Sequence, residues 1–173
     1  DAFMALQYLS KRDNIDPNNI GITGWSLGGG VSFFSAWQPI IDSLSPNISF
    51  AAHLPIYPPC MVKPDNMDFS TKPIHILIGE LDDWVPSEPC NVIVEELKEL
   101  GHNIDITIYP DSHHGYDRQG PEVFIEHAYS FKDCSLSLNN DGVVVSKNIN
   151  FPLFSPFMQK VGLFFCAEIG STI

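Results

Sequence analysis

Basic residues are scarce in the 173-residue sequence, and it has no apolar run of membrane-spanning length. Nine Lys and Arg stand against 21 Asp and Glu, a formal net charge of −12. A chain this acidic repels phosphate backbones and anionic surfaces, which argues against nucleic acid as a partner. The longest apolar candidate, 161–167, is far too short for a membrane span. Hydrophobic residues make up 44% of the chain and charged residues 17%; this composition predicts one globular domain over 1–173 rather than a disordered chain.

The cysteines are few and include no CxxC pair, which argues against a zinc site. The four are Cys60, Cys90, Cys134 and Cys166. An even count permits two disulfides in three connectivities. Disulfides favour a periplasmic or secreted protein, and a cytoplasmic protein with four buried thiols is the alternative. We predict neither a cofactor nor a metal.

The sequence begins at Asp1 rather than at Met, and 1–10 already has helical spacing, with Leu6 and Leu9 on one face. A domain rarely begins inside a helix. We therefore expect an upstream segment to be missing, and any signal peptide with it.

Helical and strand-like segments alternate along the chain. Helices are predicted over 1–10, 26–37, 87–100 and 157–166. Strands are predicted over 19–24, 48–56, 73–78 and 103–109, of which 48–56 and 73–78 are expected to be buried and 103–109 to alternate. This alternation predicts a mostly parallel sheet in a three-layer α/β fold, with helices on both faces. About four strands would leave a sheet edge open, so we expect further strands upstream.

Prolines and glycines mark the connections between these segments. Pro39 is expected to end the second helix, and 57–70 is expected to be a proline-rich loop. Asp141-Gly142 is a hairpin turn signal inside 134–154. We interpret that stretch as an insert or a hairpin, with a Cys134–Cys166 bridge as one hypothesis.

Gly24-Trp25-Ser26-Leu27-Gly28 contains the pattern G-x-S-x-G between a predicted strand and a predicted helix. Such a turn holds the serine in a strained conformation and presents its hydroxyl at the carboxyl end of the sheet. Cβ atoms at Gly24 and Gly28 are expected to collide with the turn. We predict Ser26 as nucleophile and the Leu27 N–H as oxyanion donor. The alternative is an ordinary N-cap serine.

A serine nucleophile needs a general base, and the base needs an orienting acid. Chain order in such folds is serine, acid, histidine, each after a strand. The loop after 73–78 holds three carboxylates, of which Asp82 is preferred because Gly79, Asp82, Val85 and Pro86 fit G-x-x-D-x-x-V-P. Asp83 is the reserve, Glu80 also competes, and a solvated acidic turn is the alternative.

The loop after 103–109 supplies the histidine. His114 is the predicted base because it precedes Gly115 and Tyr116 in an H-G-aromatic pattern, and His113 is its nearest rival. A surface histidine pair, or a metal site with Asp111, is the alternative. Adjacent histidines rarely bind one metal, which argues against the latter.

Four aromatic residues are expected to lie beside the proposed triad and are predicted to line a substrate pocket. They are Trp25, Tyr57, Trp84 and Tyr116. Core packing is the alternative for each of them.

Three pieces of the chain, 16–21, 79–86 and 109–116, resemble the dienelactone hydrolase family of α/β-hydrolases, over roughly residues 1–130. The resemblance implies the α/β-hydrolase fold, truncated here at its N-terminus because the first family strands are absent. The loop after the third family strand normally supplies the second oxyanion N–H. Tyr57-Pro58-Pro59-Cys60 and Pro89-Cys90 are similar to a subgroup in which these two cysteines approach each other.

Founding members of that family use Cys as nucleophile, whereas this chain has Ser26, which favours a broader carboxylesterase activity. The resemblance therefore implies a serine hydrolase that cleaves a small-molecule ester through an acyl-enzyme. A prolyl-oligopeptidase-type serine peptidase is one alternative. A non-catalytic domain that keeps the α/β-hydrolase fold is the other.

Overall fold

The computed structural model describes residues 1–146, 151–152 and 168–172. The helices are α1 (Ala2–Leu9), α2 (Leu27–Phe34), α3 (Gln38–Leu44) and α4 (Ser87–Glu99). The strands are β1 (Gly21–Trp25), β2 (Ala52–Ile56), β3 (Val62–Pro64), β4 (Ile74–Gly79), β5 (Ile104–Tyr109), β6 (Phe124–Ser130), β7 (Leu136–Leu138), β8 (Val144–Ser146), β9 (Phe151–Pro152) and β10 (Glu168–Thr172).

The main sheet contains β1, β2, β4 and β5 in that order, and all neighbours are parallel. Helices α2 and α3 connect β1 to β2, and α4 connects β4 to β5. Parallel strands need such crossovers, so the predicted parallel sheet with flanking helices is confirmed. Because the strands run the same way, the loops that follow them leave the sheet at one edge.

Strands β2 and β4 alternate between buried and exposed residues, which differs from the prediction that both are buried strands. In β4, Ile74, Ile76 and Ile78 are buried while His75 is exposed. Helices α2 and α4 contribute to the same core cluster as these isoleucines. The described helices therefore cover one face of the sheet, and side chains that point the other way remain exposed.

The core has two parts. The larger cluster lies between the sheet and helices α2 and α4; its largest fully buried members include Phe33, Trp37, Ile76, Ile78, Ile93 and Leu97. The smaller cluster joins α1 to α3 and the ends of β1 and β2; its buried members are Phe3, Leu6, Ile20, Ile41 and Phe50.

Helix α3 was not predicted, since Pro39 was expected only to end the preceding helix. Instead Pro39 lies in the first turn of α3. A proline is tolerated there because the N–H groups of a first turn have no acceptor within the helix. Burial of Ile41 in the smaller cluster then stabilises the helix.

Two predicted strands have different bounds in the structure. Strand β1 extends through Trp25, and β2 begins only at Ala52 rather than at residue 48. Before β2 the chain turns, because the Ser45 hydroxyl donates to the Ile48 carbonyl over 2.7 Å. The apolar residues 48 and 50 therefore pack against α1 instead of extending the strand.

The segment after residue 120 contains strands that sequence periodicity did not reveal, although the turn signal at Asp141-Gly142 indicated a hairpin there. Strands β7 and β8 form an antiparallel hairpin, with Asp141-Gly142 in its turn, and β3 pairs with β7. Strand β6 pairs with β10. The predicted helix 157–166 lies outside the described residues. Among those described, no helix is long and apolar enough to cross a membrane.

Candidate active site

Ser26 occupies the turn between β1 and α2. Its φ is +54°, a left-handed conformation that is uncommon for a residue with a side chain. The turn is held by backbone hydrogen bonds from Ser26 N–H to the Ile56 carbonyl and from Gly30 N–H to the Ser26 carbonyl. The Ser26 side chain makes no cap hydrogen bond to the helix. Its strained backbone is thus not explained by helix capping.

Of the two glycine collisions expected around Ser26, the structure confirms the one at Gly24 and not the one at Gly28. A Cβ on Gly24 would overlap the carbonyl of Gly28, and a Cβ on Gly29 would overlap the carbonyl of Ile56. A Cβ on Gly28 would meet nothing within 4 Å, so the expected collision at Gly28 is wrong. The turn crowds the backbone at residues 24 and 29, because the start of α2 packs directly on β1 and β2.

His114 lies in the loop after β5 and Asp82 in the loop after β4. Nε2 of His114 is 3.0 Å from the Ser26 hydroxyl oxygen, and Nδ1 is 2.8 Å from Oδ2 of Asp82. A carboxylate only accepts, so Nδ1–H donates to Asp82 and Nε2 is left to accept from the Ser26 hydroxyl. The imidazole and the carboxylate are both buried, at 4% and 3% exposure.

The other carboxylates and the second histidine make different contacts. Asp82 Oδ1 accepts from the Val85 N–H over 2.9 Å, whereas Oε2 of Glu80 accepts from the Asp111 N–H. Asp83 Oδ1 accepts from the Thr172 N–H. His113 is half-buried, and His114 is the histidine that contacts Ser26.

The loops that carry Asp82 and His114 are packed backbone to backbone. A Cβ on Gly79 would overlap the carbonyl of Ser112, and that same carbonyl accepts from the Leu81 N–H over 2.9 Å. Glycine at residue 79 therefore permits the close approach of the two loops. This approach brings the acid within reach of the base.

Leu27 is the first residue of α2, and its side chain is 81% exposed. The N–H groups of a helix's first turn have no acceptor within the helix, and the helix dipole makes that end positive. An oxyanion donor needs these two properties, and the assignment of the Leu27 N–H to that role stays a prediction. Among the described residues, no three His, Cys, Asp or Glu side chains are grouped so that they could hold a metal ion.

The four aromatic residues predicted to line the pocket lie around the Ser26–His114 pair. The ring centroids of Tyr57 and Trp84 are 4.4 and 4.8 Å from that of His114. Tyr116 packs edge-on against Tyr57 at 5.7 Å. Trp25 directly precedes the serine and is half-exposed, at 49%. Tyr57 is only 6% exposed and belongs to the larger core cluster, so it packs in the core as well as next to His114.

Sequence reasoning missed Asp117, which follows the H-G-aromatic pattern by one residue. Its carboxylate accepts hydrogen bonds from the Tyr57 hydroxyl at 2.9 Å and from Trp25 Nε1–H at 2.6 Å. Burial raises the pKa of Tyr57, and the hydrogen bond and charge of Asp117 raise it further. Burial, together with neighbouring Tyr109, raises the pKa of Tyr116 to about 12. Both phenols are therefore neutral over the physiological pH range.

A disulfide joins Cys60 to Cys90, with the Cα atoms 4.9 Å apart. The approach of these two cysteines, which the family resemblance implied, is confirmed. The bond ties the loop after β2, which carries Tyr57, to the first turns of α4. The hypothesised bridge from Cys134 ends at Cys166, which lies outside the described residues.

A parallel sheet with flanking helices and a strained serine at a strand–helix turn are typical of the α/β-hydrolase fold. The chain belongs to the dienelactone hydrolase family, whose model matches residues 1–137. The family resemblance stated from the sequence is thereby confirmed.

Solved structures agree on the fold. Apo esterase 2 of Thermogutta terrifontis is similar with a TM-score of 0.57 at 18% identity, over 69% of this chain and 56% of the esterase. MGS-M1, an α/β-hydrolase from a Medee basin deep-sea metagenome library, has a TM-score of 0.52 at 21% identity, over 66% of this chain and 48% of that protein. This chain thus spans about half the length of these structures. Among curated proteins no sequence relative was found.

Proposed function

We propose that this chain carries the catalytic residues of a serine esterase that cleaves small carboxylic esters through an acyl-enzyme. Ser26 is the nucleophile, His114 the general base and Asp82 the residue that orients the base. The observation that carries the proposal is the unbroken line of hydrogen bonds from Asp82 through His114 to Ser26. Membership of the dienelactone hydrolase family supports ester cleavage as the reaction class.

In the first half-reaction, Ser26 Oγ attacks the ester carbonyl while its proton passes to Nε2 of His114. Asp82 stabilises the imidazolium that forms, because its Oδ2 already accepts from Nδ1–H. The Leu27 N–H donates a hydrogen bond to the carbonyl oxygen and so stabilises the negative charge that develops on it. When the tetrahedral intermediate collapses, the C–O bond to the alcohol breaks, and the alcohol leaves with the proton from Nε2.

In the second half-reaction, water takes the place of the alcohol. His114 removes a proton from the water, the resulting hydroxide attacks the acyl-enzyme, and the acid product leaves as the proton returns to Ser26 Oγ. The burial of the imidazole and carboxylate strengthens both electrostatic interactions, since they are screened less than in bulk water.

A fluorophosphonate probe tests the nucleophile, since it phosphonylates activated serines. Esterase 2 of Thermogutta terrifontis, which shares this fold, is phosphorylated by paraoxon in one solved structure. We expect one adduct at Ser26, identified by peptide mass spectrometry, and loss of the adduct in Ser26→Ala. Ser43→Ala changes an exposed serine of α3 and should label like wild type. Labelling at another serine, or none in the wild-type protein, would defeat the proposal.

Substrate turnover separates the ester hydrolase from the two alternatives. Hydrolysis of p-nitrophenyl acetate that disappears in Ser26→Ala supports an esterase. Labelling of Ser26 combined with cleavage of a prolyl peptide, and no ester cleavage, would favour the peptidase. Absence of both labelling and turnover would favour a non-catalytic domain.

A further inference from the structure

Asp117 bridges two aromatic side chains that come from distant parts of the chain. Its Oδ2 accepts from Trp25 Nε1–H at 2.6 Å, and its Oδ1 accepts from the Tyr57 hydroxyl at 2.9 Å. Trp25 ends β1 and directly precedes Ser26, while Tyr57 directly follows β2. Both carboxylate oxygens are thus used to hold an aromatic wall together.

This bridge closes a circuit of contacts around the reacting pair. Ser26 is hydrogen-bonded to His114, which lies three residues before Asp117; Asp117 is hydrogen-bonded to Trp25, which is covalently linked to Ser26. The Tyr57 ring packs 4.4 Å from the imidazole. Loss of the Asp117 carboxylate would therefore release two parts of the site at once: the loop after β5 that carries His114, and the Tyr57 ring that packs on the imidazole.

Tyr57 is held in an uncommon backbone conformation, with φ at +38°. Such a conformation persists only where the surrounding structure compensates for it. The compensating contacts include the Tyr57 N–H to the Leu77 carbonyl, at 2.7 Å, and the hydroxyl bond to Asp117. The position of the Tyr57 ring next to His114 thus depends on two contacts: the hydroxyl bond to Asp117 and the backbone bond to Leu77 of β4.

The charge of Asp117 also matters, because Asp117 is exposed and is hydrogen-bonded to half-exposed Trp25, the residue that precedes Ser26. Its negative charge is felt within the aromatic wall, where it opposes ionisation of the Tyr57 hydroxyl. A substrate carboxylate approaching Trp25 would meet the same repulsion. A neutral acyl group would not.

We infer that Asp117 is a positioning and specificity-determining residue, which holds Trp25 and Tyr57 around the Ser26–His114 pair and makes the site prefer neutral esters over esters with a carboxylate near the scissile bond. The inference rests on the proposed function. It assigns the substrate class by charge.

The test compares kcat and KM for p-nitrophenyl butyrate, a neutral ester, with those for the mono-p-nitrophenyl ester of succinic acid, an anion of similar size. Asp117→Asn removes the charge and keeps one acceptor oxygen. We expect it to raise the anionic-to-neutral ratio of kcat/KM about fivefold, mostly through KM for the anion. Asp117→Ala removes both acceptors and should also lower kcat for the neutral ester about tenfold or more.

Glu122→Gln is the matched control, since it removes one exposed negative charge from the same stretch of chain. It should leave the ratio within twofold of wild type. Raising the salt concentration should weaken the wild-type preference for the neutral ester, because the charge is exposed and therefore screened. If Asp117→Ala fails to fold, as circular dichroism would reveal, Asp117→Asn still tests the charge effect.

Each outcome has a defined consequence. An unchanged ratio in Asp117→Asn, or an equal change in Glu122→Gln, overturns the inference while leaving the proposed function intact if Ser26 is labelled and neutral esters are cleaved. Failure of the wild-type protein to cleave either ester defeats both.

Discussion

The carboxylate of Asp82 lies 2.8 Å from the imidazole of His114, although the two residues are 32 positions apart in the chain. The reason is the register of two neighbouring parallel strands, in which Gly79 of β4 is opposite Tyr109 of β5. The loops that follow them leave the sheet side by side, and the close approach of Gly79 to the Ser112 backbone brings them into contact. An acid on one loop therefore meets a base on the next.

Replacing Asp82 by Asn should lower kcat for ester hydrolysis by about 10⁴-fold. The Asn carbonyl can still accept from the Val85 N–H, which leaves the amide NH2 facing Nδ1 of His114. The imidazole is then held in the tautomer that has its proton on Nε2 and cannot accept from Ser26. Steady-state kinetics on a neutral ester measure the effect.

Asp83→Asn is the control for this prediction, because the Asp83 carboxylate accepts from the Thr172 N–H, whereas the carboxylate that His114 contacts is that of Asp82. Its kcat should stay within about threefold of wild type. If Asp83→Asn loses more activity than Asp82→Asn, the assignment of the acid is wrong.

Gly24→Ala should greatly lower the free energy of unfolding and Gly28→Ala should change it little, although both glycines belong to the same motif. A Cβ at residue 24 would overlap backbone, so we expect a loss of about 3 kcal/mol or more in the free energy of unfolding. A Cβ at residue 28 meets open space inside a helix, and stability should stay within about 1 kcal/mol of wild type. Denaturant unfolding followed by circular dichroism distinguishes the two, and similar losses would contradict the geometry of the turn.

Removal of the Cys60–Cys90 disulfide by the double change Cys60→Ala and Cys90→Ala should lower the free energy of unfolding by about 3–4 kcal/mol. The bond closes a loop with a sequence separation of 30, and its loss restores entropy to the unfolded chain. Urea unfolding of both proteins under non-reducing conditions measures the difference. A difference below about 1 kcal/mol would show that the bond contributes little to stability.

His53 should make the protein less stable as the pH falls from about 6.5 towards 4. The side chain is 2% exposed, and burial lowers its pKa from 6.5 to about 4, partly offset by a hydrogen bond to the Ser32 carbonyl. Between these values the unfolded chain binds a proton that the folded protein does not, so acid favours unfolding. The expected loss is about 2 kcal/mol by pH 5, and it levels off near pH 4.

His53→Asn removes this titration while its amide can still donate to the Ser32 carbonyl. The fall in unfolding free energy between pH 7 and pH 5 should therefore be smaller in His53→Asn than in wild type. His75→Asn, which changes an exposed histidine of β4, should keep the wild-type dependence. Equal pH dependence in wild type and His53→Asn would refute the assignment.

Elements with a strong local pattern were predicted well. Helix α4 runs over 87–99 against a predicted 87–100, because its apolar residues recur at helical spacing up to the turn at Gly101. Helix α3 was missed because a proline is compatible both with the end of one helix and with the first turn of the next, and Pro39 lies in the first turn of α3. Only packing of Ile41 against α1 decides between the two.

The site shows the same division. Ser26 could be proposed from five consecutive residues. The role of Asp117 could not, because its partners Trp25 and Tyr57 are 92 and 60 positions away and no local pattern connects them. Asp83 and His113 are the immediate chain neighbours of Asp82 and His114, which form the hydrogen bond. The sequence pattern alone does not show which member of each pair makes that contact.

The sequence by itself determined the alternation of strands and helices, the sharp turn at Ser26 and the loops in which an acid and a base should lie. Those features depend on apolar spacing and on glycine, which act over a few residues. Tertiary structure alone decided which carboxylate and which imidazole face each other, how Asp117 ties Trp25 to Tyr57, and which glycine the turn requires. The direction of a loop side chain depends on which part of the protein packs against the loop. The loops that carry Asp82 and His114 pack against each other where Gly79 approaches the Ser112 backbone, and these two loops follow different strands.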